Sequence, residues 1–233
     1  MRERAPVKVH ELAAAAEGPL SPAEGNLLFR LARFCRSGCI VEIGSFHGKA
    51  TTFLGLGSQA GDSNPVYAIE PDLDPPGLFQ RQMEHAGIAD IVRPVLAPAG
   101  IAVRTFTEPI EFLFLGGSPD DVSVRLHWDL WVSKVMPGGY VALHNTLLHP
   151  APRRLAETRL LGSGNFVDTG LADSIAYGRV RQWHENADSR PHTLGLLTLK
   201  RVCDVAVRVP LPSPVKRWGS QVVTALQPVP GEN

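Results

Sequence analysis

The chain has 233 residues, 44% hydrophobic and 20% charged, enough to bury one substantial core and better suited to a single domain than to two. Lysine plus arginine and aspartate plus glutamate both number 23, so no net field draws in nucleic acid or an anionic membrane, and small-molecule or protein partners are favoured. The opening residues lack an apolar stretch of secretion-signal length and no run approaches the roughly 18 apolar residues of a membrane span, so a cytoplasmic location is expected.

Residues 21–36 read as the first clear helix. Ser21 is its N-cap, Pro22 its first residue and Glu24 the partner in a capping box, with Leu27, Leu28, Leu31 and Phe34 at helical spacing. Gly38 stops it before it can bring Cys35 and Cys39 together. With Cys203 these make an odd set of three cysteines, better read as buried small side chains than as disulfides or a zinc site.

The next stretch carries the chemistry. Residues 39–43 form a short apolar strand holding Glu42, which breaks at once into Gly44-Ser45-Phe46-His47-Gly48 and then a helix over 49–59. Such a strand, glycine turn and helix start make a nucleotide cradle. Gly44 and Gly48 lack Cβ where a ligand approaches or the turn needs positive φ, and the new helix offers unpaired N–H groups. A second strand, 66–70, ends in Glu70, where a Rossmann-type unit places the acid that grips a ribose diol.

Pro71 opens a loop, 78–86 is a helix stopped by Gly87, and 91–96 is a third strand. Residues 110–115, apolar apart from Glu111, have the composition of a parallel strand covered on both faces, and the pair Gly116-Gly117 ends it. Asp120 or Asp121 caps a helix to about 135, with Val124, Leu126, Leu130, Trp131 and Val135 available for its inner stripe. Pro137-Gly138-Gly139 then turns into a strand at 140–143. The alternation implies an α/β fold, a doubly wound Rossmann-like and mostly parallel sheet with ligands outside the carboxyl ends of its strands.

Beyond Pro150 come a helix at 152–161 and two strands, 174–180 and 194–200, paired as a closing antiparallel hairpin. Residues 1–36 are read as an N-terminal helical segment, 37–202 as the main domain and 203–233 as a proline-rich tail with at most one short helix at 215–226. The amino-terminal helix and the tail, taken as lying outside the core, leave surface for a homodimer.

The order of these motifs resembles a class I S-adenosylmethionine (SAM)-dependent methyltransferase, and within that group the small-molecule O-methyltransferases of the macrocin and catechol type. The resemblance covers residues 34–145. It rests on Val41 to Gly48, on Tyr67-Ala68-Ile69-Glu70-Pro71, and on the block from Phe114-Leu115-Gly116-Gly117 through Leu130-Trp131 to Tyr140-Val141-Ala142-Leu143-His144. It implies SAM as cofactor, with Glu42, Gly44, Ser45 and Gly48 at its methionine end, Gly116 beside them, Glu70 on the ribose, and the adenine near Pro71 and Ala97. A dinucleotide cofactor suits the cradle less, because a carboxylate at Glu42 repels phosphates and attracts the amino group of SAM.

The chain departs from that family where metal is held. Relatives continue the strand ending at Leu115 with acids and end the last parallel strand in His-Asp; here stand Gly116, Gly117, Ser118 and Pro119, then His144-Asn145. A helix acid is replaced by His127. Divalent cations need hard, charged oxygen ligands, so no bound metal is expected. Methyl transfer from a sulfonium then needs a group to align the acceptor and accept its proton. His144 is the first candidate base, Asn145 an orienting amide, and His47 a second base. The expected reaction is metal-independent O-methylation of a small molecule, a sugar or secondary metabolite, walled by residues 147–150 and 183–192. The alternative is a catalytically silent relative that binds SAM or S-adenosylhomocysteine (SAH) and acts as a binding or assembly subunit.

Overall fold

The computed structural model describes residues 6–72, 77–117, 120–147, 149–183 and the single position 195. Helices α1 (Val7–Ala14) and α2 (Pro22–Phe34) precede β1 (Cys39–Ile43), α3 (Lys49–Gln59), β2 (Val66–Glu70), α4 (Leu78–His85), β3 (Val92–Leu96) and the single turn α5 (Ala99–Ala102). Then follow β4 (Ile110–Leu115), α6 (Asp121–Trp131), β5 (Val135–Leu143), α7 (Pro150–Leu155), a π-helical turn (Ala156–Leu160), and the hairpin of β6 (Phe166–Ala172) and β7 (Ile175–Val180).

The strands form one sheet in the order β3-β2-β1-β4-β5-β7-β6. β1 to β5 run parallel, while β7 is antiparallel to both its neighbours. The chain works outward from β1 to β3 and returns to lay β4 on the other side of β1. The switch point of this doubly wound sheet therefore lies between the carboxyl ends of β1 and β4, where crevices open in such folds.

Period-two alternation divides the core. Ile40, Phe112, Phe114 and Ala142 face α1 to α4, and Val41, Leu113, Val141 and Leu143 face Trp128, Trp131 and Leu160. Glu42 shares its face with Ile40 and so looks toward α3. The capping box of α2 is complete, Ser21 accepting from the N–H of Glu24 and Glu24 accepting from the N–H of Ser21. Among the described residues no helix is long and apolar enough to cross a membrane.

The structure corrects the sequence-based reading in several places. The amino-terminal helices are part of the core, with Val9, Ala13, Leu27, Leu28 and Leu31 buried in it. Phe34 and Leu126, expected on inner stripes, are exposed, and Phe29 and Trp128 are buried instead. β5 begins at Val135, not Tyr140, because Pro137-Gly138-Gly139 is absorbed as an irregularity in its pairing with β4. The partner of the strand read at 174–180 is β6, missed because Asp168, at φ +50°, breaks its alternation with a bulge between Val167 and Gly170. Of the strand read at 194–200 only position 195 is described, and the helix read at 215–226 lies outside the described residues.

Candidate functional site

Backbone hydrogen bonds continue past the strand ends and set the site in register. Gly44 N–H donates to Ile69 O, Gly116 N–H to Ile43 O and His144 N–H to Leu115 O, at 2.9, 2.9 and 3.0 Å. The residues following β1, β4 and β5 therefore stand side by side along the carboxyl edge.

Two cavities open on that edge. The first, about 300 Å³, is lined by Glu42, Gly44, Ser45, Glu70, Gly116, His144 and Asn145 among others. The second, about 680 Å³, runs over Pro71, Pro98, Ala99, Ile101, Leu126 and His127. Both share Gly44, Glu70 and Gly117, so they join into one elongated cleft across the switch point.

Glu42 is wholly buried, and its Oε2 accepts a 2.6 Å hydrogen bond from Thr51 Oγ1 of α3. Its other oxygen has no partner among the described residues, nor has the buried Ser45 Oγ beside it. Burial pushes the Glu42 carboxyl up to about 8; the hydrogen bond from Thr51 opposes this and the charge of Glu70 adds to it. An acid so placed ionises readily only when a cation arrives. Glu70 Oε2 accepts from the N–H of Phe46 at 3.0 Å, which ties the glycine turn to the end of β2.

The glycines of the turn do different things. Gly44, at φ +85°, sits so close to the chain after β4 that a Cβ there meets Gly117 Cα at 2.3 Å. Gly48, at φ +87°, caps α3 in the left-handed region, and a Cβ there meets Met83 and Phe79 of α4, so it shapes the turn without lining either cavity. Gly44→Ala is expected to lose about 1–2 kcal/mol to backbone handedness alone. With the clash added, Tm falls by at least about 4 °C and SAH affinity falls with it, as differential scanning fluorimetry and calorimetry of the variant will show.

Of the two main candidate bases, His144 and His47, His144 lines the first cavity. It is 7% exposed, and its Nε2 lies 3.5 Å from Oε1 of the buried Glu24. His47 lines neither cavity; it stacks on Phe46 at 3.7 Å and its Nδ1 faces Glu17. Asn145 holds φ +63°, which asparagine tolerates better than most residues, and so its side chain is delivered to the cavity beside His144. Ala97 lines neither cavity, whereas its neighbours Pro98 and Ala99 line the second. His127 is there too, its titration lowered by burial against the opposing charge of Asp120. Asp120 itself caps α6, accepting from the N–H of Ser123. Trp183 is 99% exposed, and residues 184–192 lie outside the described residues.

Sequence reasoning missed the loop of Glu17, Gly18, Pro19 and Leu20, which walls the first cavity and is held by Lys49 Nζ donating to Gly18 O. The Gly-Pro pair before the Ser21 cap was its one visible signal. Among the described residues no three His, Cys, Asp or Glu side chains gather as metal ligands.

Residues 41–146 match a family model described as a methyltransferase domain. Among solved structures, the O-methyltransferase of Bacillus cereus in complex with SAH superposes at TM-score 0.59 with 18% identity, covering 75% of this chain and 89% of that one. TomG of Streptomyces achromogenes, an O-methyltransferase of tomaymycin synthesis in complex with SAM, gives 0.58 with 20% identity over 77% and 92%. A methyltransferase of Geobacter sulfurreducens gives 0.53 with 20% identity over 75% and 87%. These likenesses agree with the fold, and the residues of the cleft suit SAM: a buried acid with one free oxygen and a buried hydroxyl match an amino-acid end, and a second acid, Glu70, stands where the two cavities join. Residues 41–146 thus match a methyltransferase domain, and the chain shares its fold with solved O-methyltransferases.

Proposed function

We propose that the chain methylates a hydroxyl group of a small molecule without a divalent metal, with His144 as general base. When bound, SAM supplies a methyl group on a sulfonium, a donor already activated for in-line displacement. Glu42 and Ser45 hold its amino-acid end, Glu70 its ribose, and Pro71, Pro98 and Ala99 its adenine. What remains for the protein is to align the acceptor oxygen and remove its proton. His144 and Asn145 line the same cavity as Glu42, so a proton acceptor and an amide are available at the methionine end of the cleft.

The observation that carries the cofactor assignment is the pair of buried polar atoms, Glu42 Oε1 and Ser45 Oγ, left without partners in a cavity that joins a second one at Glu70. Metal independence is supported by residue chemistry. The chain ends facing this cavity after β4 and β5 are Gly116, Gly117, His144 and Asn145, none a carboxylate, and Asp120 is used as a helix cap. Oxygen as the acceptor atom is supported by the likeness to the B. cereus and S. achromogenes proteins, both O-methyltransferases. The balanced formal charge of the chain supports a small acceptor over a nucleic acid.

Calorimetry with SAM, SAH and NAD, followed by transfer of a radiolabelled methyl group to a panel of phenols and sugars with and without EDTA, tests this. Heat with SAM and SAH, none with NAD, and turnover untouched by EDTA are expected. Heat with NAD alone overturns the cofactor, and turnover abolished by EDTA overturns the metal-independent mechanism.

A further inference from the structure

Glu24 does more than a cap requires. It is the third residue of α2, 3% exposed, and its two carboxylate oxygens serve different parts of the chain. Oε2 accepts from the N–H of Ser21 at 2.8 Å and closes the capping box. Oε1 accepts from the N–H of Ser174, in the β6–β7 turn, at 2.9 Å. His144 Nε2 stands 3.5 Å from that same Oε1. A capping box works at the surface and accepts glutamine as readily as glutamate. Here both oxygens receive backbone N–H groups, so an amide in their place turns its NH₂ on one of the donors. The site demands an acid, and it buries that acid against the candidate base that lines the first cavity.

The Ser21 end is fixed from a second side. Ser21 Oγ donates to Asp173 Oδ2 at 2.5 Å, and Thr146 N–H and Oγ1 both donate to Ser174 O at 2.9 Å. The start of α2, the hairpin turn and the segment after β5 are thus laced into one unit, and the Glu24–His144 contact lies inside it. Side chains held this way keep their orientation through a reaction.

We infer that Glu24 is the positioning residue of the proposed methyl transfer: its carboxylate takes the Nε2–H of His144, which leaves Nδ1 to receive the acceptor's proton. The carboxylate also stabilises the imidazolium formed as the acceptor's O–H bond and the donor's methyl C–S bond break and the O–C bond forms, the sulfur keeping the electron pair and leaving as the neutral thioether of SAH. A buried acid behind a histidine acts in this way in hydrolases, fixing tautomer and orientation without itself being protonated. The 3.5 Å separation is longer than a hydrogen bond, and such contacts tighten when the acceptor binds. The inference rests on His144 being the base, but its test is separate.

The test uses the full chain, ¹⁵N-labelled at histidine and saturated with SAH. A ring N–H proton far downfield of the backbone amides, correlated with Nε2 and erased in His144→Ala, is expected in the unsubstituted protein. In Glu24→Gln that signal is expected to be lost while the SAH dissociation constant stays within about threefold, since Glu24 lines neither cavity. A signal that survives Glu24→Gln overturns the inference. So does a loss of SAH affinity in step with the signal, which marks a purely structural role. Should Glu24→Gln fail to fold, the unsubstituted protein decides, because absence of the downfield signal there refutes the contact. Full methyl transfer by His144→Ala, with the signal present before substitution, refutes the base and leaves the contact standing.

Discussion

Glu42→Gln weakens SAH binding about 10- to 100-fold and removes a pH dependence from the stability of the ligand-free protein. The affinity loss follows from exchanging an ionised acceptor for a neutral one in a buried cavity, where a hydrogen bond to a charged group contributes about 1.5–3 kcal/mol. The pH effect follows from proton linkage. Burial raises the Glu42 carboxyl to about 8 in the folded chain, against 4.5 for the exposed group. Between those values the folded protein holds a proton that the unfolded chain has released. Stability from this group is therefore greatest at the acid end, declines as pH climbs through the window and levels off above about 8. Comparing Tm of the two proteins from pH 5.5 to 9 isolates this contribution, since their remaining groups titrate alike. The original protein is expected to lose ground to Glu42→Gln as pH rises, and parallel curves overturn the assignment. A cationic amine reverses the preference of Glu42 for its proton. SAH binding at pH 7 is thus expected to release a proton, detectable as a buffer-dependent calorimetric heat that Glu42→Gln lacks.

The parts of this fold that were legible in the sequence share one property: their local pattern and their tertiary role agree. β1, β2 and β4 fall on the residues expected because each is a short apolar run buried on both faces. The α2 cap was readable because its signal is contained within four residues. Where a residue serves a partner distant in sequence, local pattern misled. Leu126 keeps a helical spacing with the core yet is exposed at the second cavity, where it adds an apolar wall. β6 carries Asp168 in a left-handed bulge, where Arg179 of β7 donates to it at 2.7 Å, so its strand character exists only in pairing. Gly48 looked like a ligand-facing glycine, but the residue its missing Cβ spares is Met83 of α4. That Glu42 and Glu70 line the cleft was readable from strand ends alone. The contact of Glu24 with His144 was not, since it joins positions far apart in the chain and nothing near either residue announces the other.

His144→Ala is expected to lower the turnover number about 10²- to 10⁴-fold, the usual contribution of a positioned general base, with SAH affinity and Tm little changed. Folding survives because Glu24, stripped of its histidine, keeps both backbone donors, Ser21 and Ser174. Cofactor affinity survives because the groups assigned to its amino-acid end and ribose, Glu42, Ser45 and Glu70, stand in β1, on the turn after it and at the end of β2, and do not lean on the imidazole. The truncated side chain also opens space in the first cavity for added imidazole, which should recover part of the lost rate. His47→Ala is the matching control. His47 lines neither cavity and only backs Phe46, which lines the first, so its removal is expected to cost at most a few-fold in rate. The two histidines were competing candidates by sequence, and geometry separates them: one follows β5 and lines the first cavity, the other lines neither cavity and sits behind Phe46 and Glu17. A fully active His144→Ala with an inactive His47→Ala reverses that assignment. Loss of turnover in His144→Ala without imidazole rescue and with collapsed SAH binding assigns His144 to cavity structure instead of proton transfer.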